Sequence, residues 1–74
     1  MTTQKVSSVG RVRVIHPLKA RQIDTGDYTW FPQGTVLWHV ELGEDTARFE
    51  EIGGHGRYEC PTYDFTPATK KLSR

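Results

Sequence analysis

The chain has 74 residues, 35% hydrophobic and 26% charged, with a net charge of +1 and a single cysteine. That length allows one domain with a thin core, and the composition excludes a disordered chain, a membrane-spanning helix and an internal disulfide. Met1–Ser8 is polar and lacks the apolar core of an export signal, so a reducing cytoplasm is the expected compartment.

Met1–Ser8 reads as a flexible start, residues 9–69 as the domain, and residues 70–74 as a flexible end. Arg11–His16 predicts a first strand, with Val12 and Val14 on one face and Arg11, Arg13 and Ile15 on the other. Pro17 lacks a ladder donor and should end it. Residues 16–31 read as a long, irregular hairpin arm. Leu18 and Ala20 stay in phase with the valines, Ile23-Asp24-Thr25-Gly26-Asp27 turns the chain, and Tyr28-Thr29-Trp30-Phe31 returns it.

Pro32 and Gly34 predict a turn before the strand that should organise the domain. From Val36 every second residue is apolar, which turns Val36, Trp38, Val40 and Leu42 inward and leaves Leu37, His39 and Glu41 on the other face. Thr46–Ile52 reads as a strand pairing with 35–42, or else as one helical turn capped by Asp45; seven residues favour the strand. Gly53-Gly54-His55-Gly56 is a hairpin turn, and Arg57–Cys60 a strand with Tyr58 and Cys60 on one face. Thr62-Tyr63-Asp64 fits a helical turn near 61–64, and Phe65–Thr69 a short closing strand.

This order resembles the small SH3-like barrel. Val14-Ile15-His16-Pro17-Leu18-Lys19-Ala20 stands where SH3 domains carry Ala-Leu-Tyr-Asp-Tyr, Phe31-Pro32-Gln33-Gly34-Thr35-Val36 where they carry the diverging turn, and Pro61-Thr62-Tyr63-Asp64-Phe65 where they carry Pro-Ser-Asn-Tyr-Val. The resemblance implies an all-β, five-stranded barrel. His16 and Leu18 replace the family's aromatic pair, and Ala47 and Arg48 its tryptophan pair, so it implies architecture and not the proline-binding groove. The same shape class includes nucleic-acid-binding modules and short plasmid-borne dihydrofolate reductases, whose site forms between subunits. The Val-Gln-Ile-Tyr signature of those enzymes is absent.

Eight aromatic side chains exceed what so small an interior holds. Trp38, Phe49 and Phe65 are expected inside. Tyr28, Trp30 and Tyr63, from the arm and the proline turn, are expected to form an exposed recognition patch for a protein partner or for self-association. The charge is segregated. Residues 1–21 hold five basic side chains and no acid, residues 24–59 hold eight acids, and the tail is again basic. Pairing of basic with acidic strands explains this, and a nucleic-acid face is the alternative, carried by Arg11, Arg13, Lys19 and Arg21 with Lys70 and Lys71. His39 and Glu41 would share a face as a base and its orienting carboxylate, yet no nucleophile is placed beside them. No histidine or cysteine pair has metal-ligand spacing, and Cys60 reads as a small buried hydrophobe. The sequence therefore predicts a non-catalytic binding module without metal or cofactor; an enzyme with its site between subunits is the remaining alternative.

Overall fold

Alternation of apolar and polar side chains builds nearly all of the molecule. The computed structural model describes residues 7–54 and 56–72. Its elements are β1 (Ser7–Val14), β2 (Leu18–Gln22), β3 (Tyr28–Phe31), β4 (Val36–Leu42), β5 (Thr46–Glu51), β6 (Tyr58–Pro61), α1 (Thr62–Ala68) and β7 (Thr69–Lys71). The strands form one antiparallel sheet in the order β3-β2-β6-β5-β4-β1-β7, curled into a half-barrel.

Among the described residues the domain is all-β apart from one short helix, but it has seven strands where five were expected. The arm over 16–31 accounts for part of the difference. Its two limbs pair over four residues, from Leu18 opposite Phe31 to Arg21 opposite Tyr28, and β2 joins β6 through Arg21 and Gln22. The closing strand also lies later than expected. Residues 62–68 are helical and only Thr69–Lys71 pair, against Val12–Val14. Lys70 and Lys71 thus belong to the sheet, as do Ser7 and Ser8, whereas the rest of the expected flexible start, residues 1–6, lies outside the described residues.

Leu18, Ala20, Phe31, Val12, Val14, Phe49, Tyr58 and Cys60 line the inner face, and the helix sets Phe65 and Ala68 over them. Aromatic rings fill the centre: Phe31 meets Tyr58 edge-on at 5.0 Å and Phe49 at 5.7 Å, and Phe49 meets Phe65 at 5.3 Å. Seven residues cannot hold a helix in water, so α1 exists because the sheet seats it. Its first residue is bound to the β4–β5 turn through Thr62 N to the Asp45 carbonyl and Thr62 Oγ1 to the Gly43 carbonyl. Its end is bound to the β1–β2 corner, where the Ala68 carbonyl accepts from Ile15 and His16.

The expectation that Trp38 points inward is overturned. Leu37 is fully buried, while Trp38 is 37% exposed. Between Trp38 and Glu41, β4 carries one residue more than β5 opposite it, a β-bulge in which His39 adopts a positive φ of 51°. The extra residue resets the alternation, so Leu37 and Val40, three apart, both face inward. Trp38 and His39 both face outward, their rings stacked at 4.7 Å.

Candidate functional site

The outer face of β2 and β3 gathers most of the residues singled out as a recognition patch. Tyr28 and Trp30 lie two apart on β3 and share this face; they are 65% and 63% exposed, and Tyr63 at the start of α1 is 77% exposed. Lys19 and Arg21 lie on β2 opposite Trp30 and Tyr28, and the Lys19 ammonium sits 4.9 Å from the centre of the Tyr28 ring.

A groove of about 350 Å³ opens where β2 and β6 part, walled by Lys19, Arg21, Tyr28, Asp45, Glu59 and Tyr63. The parting has a cause in the sequence. Ile23 N donates to the Arg57 carbonyl, so antiparallel alternation gives the next bonded pair at Arg21 and Glu59, and the one after that would be Lys19 and Pro61. Pro61 has no N–H, and the ladder stops there. Tyr28 and Tyr63 therefore share one groove. Trp30 stands beside Tyr28 on the sheet but does not line it.

β3 is the end strand of the sheet. Gln22 N donates to the Asp27 carbonyl, which by the same alternation turns the backbone groups of Thr29 and Phe31 toward β2 and those of Tyr28 and Trp30 toward the open side. The exposed rings and the unpaired backbone groups thus occur on the same two residues.

Charge pairing crosses the middle of the outer face. Glu59 binds Arg21 at 2.6 Å and Arg48 at 3.6 Å, joining β2, β6 and β5. Arg57 binds Glu50 at 2.9 Å and Glu41 at 3.5 Å, and Glu50 meets His39 Nδ1 at 3.3 Å. Glu59 and Glu50 both titrate lower than usual. For Glu59 the Arg21 hydrogen bond is the main cause, aided by the nearby charges of Arg21 and Arg48. For Glu50 partial burial opposes ionisation, but the bonds from His39 and Arg57 outweigh it. The expected His39–Glu41 pair does not form; Glu41 is taken by Arg57 and His39 by Glu50. Cys60 is buried, and that burial, with Asp64 and Glu59 nearby, pushes its thiol up to about 12.

The six basic residues named from the sequence fall into two groups, with three strands between them in the sheet. Lys19 and Arg21 are on β2, and Arg21 is neutralised by Glu59. Arg11 and Arg13 are on β1 beside Lys70 and Lys71 on β7, with Arg13 opposite Lys70. Among the described residues these four form no ion pair. Nor do three or more His, Cys, Asp or Glu side chains gather as metal ligands among them, and no helix is long and apolar enough to cross a membrane.

Sequence reasoning missed Glu59 as a hub and the outward stack of Trp38 on His39. Charge segregation was the available signal for the first; nothing in the residue pattern marked the second. Compared with known proteins, the chain matches no family, no curated protein and no solved structure.

Proposed function

We propose that the chain is a small, non-catalytic binding module of SH3-like kind that takes a protein partner along β3 and the adjoining groove, through Tyr28, Trp30 and Tyr63. The observation that carries this reading is the coincidence of large exposed rings with an unpaired strand edge. Aromatic side chains supply contact area at small entropic cost, and a free edge supplies backbone bonds to an extended segment. The SH3-like assignment draws support from the short helix between the last two strands, where Pro61-Thr62-Tyr63-Asp64-Phe65 carries the likeness.

A second reading, nucleic-acid binding, is favoured by one observation: Arg13 opposite Lys70, with Arg11 and Lys71 adjoining, and no ion pair of any of the four among the described residues. Like charges directly opposite cost stability, which an anionic ligand would relieve.

Peptides selected from a random displayed library, and single-stranded DNA and RNA, separate the two readings. The first expects Tyr28→Ala and Tyr63→Ala each to weaken a selected peptide about tenfold or more, a loss of about 1.4 kcal/mol. If neither change alters peptide binding, the reading is wrong. Nucleic-acid affinity that falls steeply with salt and is lost in Arg13→Ala and Lys70→Ala would put the second in its place.

A further inference from the structure

The two edges of the sheet are treated differently. β7 is three residues long and carries Lys70 and Lys71, the charged, short kind of edge that keeps other strands away. β3 carries no charge at all. Its sequence is Tyr-Thr-Trp-Phe, rich in strand-forming residues, and the backbone groups of Tyr28 and Trp30 face outward. One edge is protected and the other is open.

We propose that a second copy of this chain pairs with β3, antiparallel and about a two-fold axis, with Tyr28 of each copy opposite Trp30 of the other. The inference rests on the reading of this edge as the binding surface and names its partner. Strand parity selects the register. A two-fold axis must match an outward-facing residue with another such residue. Tyr28 matched with itself sets Trp30 opposite Gly26 and wastes half the strand. Trp30 matched with itself sets Tyr28 opposite Pro32, which has no N–H to give. Tyr28 against Trp30, with the axis through Thr29, uses the whole strand.

The side chains suit that register. Each Tyr28 lies beside a Trp30 on the outer face, and the two Thr29 residues meet on the inner face; aromatic and Thr–Thr cross-strand pairs are both favourable. The segment that binds is thus complementary to itself. Lys19 and Arg21 of the two copies stay apart, because both β3 strands lie between them. The exposed parts of four rings amount to several hundred Å², below the roughly 1,200 Å² of a standard interface, so the dimer belongs with the weak, transient ones.

Sedimentation of the full chain from about 10 μM to 1 mM should show mass rising from one chain to two with concentration. Trp30→Lys and Tyr28→Lys, which place an edge-protecting charge at the strand, should each weaken the dimer at least tenfold while leaving the circular dichroism of the fold unchanged. Thr29→Cys reads the register itself. Residues opposite each other without ladder bonds have Cα atoms about 4.5 Å apart, within disulfide reach, so mild oxidation should link Thr29→Cys chains faster than Lys70→Cys chains. Cys60 is buried and does not compete.

A chain that stays monomeric throughout, or a dimer indifferent to Trp30→Lys, overturns the inference, as does crosslinking no faster at position 29 than at 70. If the monomer still binds selected peptides through Tyr28 and Tyr63, only the self-pairing fails. If it binds none, the proposed function fails with it.

Discussion

His39 occupies the left-handed region with φ 51°, where a side chain costs roughly 1–2 kcal/mol and where histidine is tolerated better than most. The bulge, the stack with Trp38 and the contact with Glu50 hold it there. His39→Val puts a branched Cβ in the same conformation and should lower stability in urea by about 1–2 kcal/mol, while His39→Gly should not. The neighbouring pair tests the phase of the strand. Leu37→Ala empties a fully buried site and should cost about 2–5 kcal/mol, whereas Trp38→Ala should cost less than about 1 kcal/mol. Equal losses would mean that the tryptophan is core after all. Val36-Leu37-Trp38 is apolar at three consecutive positions, so alternation alone could not fix whether Leu37 or Trp38 turns inward. A bulge sets the choice, and its cause lies in pairing with both neighbouring strands rather than in the run itself.

Elements were legible where one face is buried and period two is clean. In β1 the valines at 12 and 14 are buried and the arginines at 11 and 13 exposed; β5 is a strand, as its pairing with 35–42 implied, and β6 buries Tyr58 and Cys60. The arm was read as one irregular hairpin because its ladder to β6 is a two-residue contact between distant segments. The helix was half seen. Pro67 looked like a break in a strand, but it lies in the last turn of α1, where it forfeits the bond an N–H would give the Tyr63 carbonyl; Thr69 Oγ1 donates to the Phe65 carbonyl at the helix end. Between elements, Glu59 ties β2 to β6 and β5. Its folded pKa is depressed, so the stability it lends is present above the usual carboxylate range and is lost as pH falls through that lowered value. Glu59→Gln should therefore shrink the fall in urea midpoint between about pH 6 and pH 3, with a smaller part of the fall surviving through Glu50. An acid limb of unchanged depth would assign the sensitivity elsewhere.

At the scale of the molecule, the sheet is curled but keeps two ends, and what it can bind follows from that. The exposure of Tyr28, Trp30 and Tyr63 was legible because eight rings exceed what a small interior takes up. Which of them share a groove depends on Pro61 ending a ladder opposite Lys19, far away along the chain, and composition carries no trace of such a distance. The basic residues likewise looked like one set along the chain, yet the sheet order separates Lys19 and the ion-paired Arg21 from four that form no ion pair among the described residues.

The strand order also places the earliest strand between β4 and the very last, with Val12–Val14 clasped by Thr69–Lys71. On a ribosome, threads joined that late cannot be tied early: until residue 71 has emerged, the valines of β1 lack one neighbour. This small domain should then remain open to proteases until β7 has emerged, and close in one step governed by distant parts of the chain meeting.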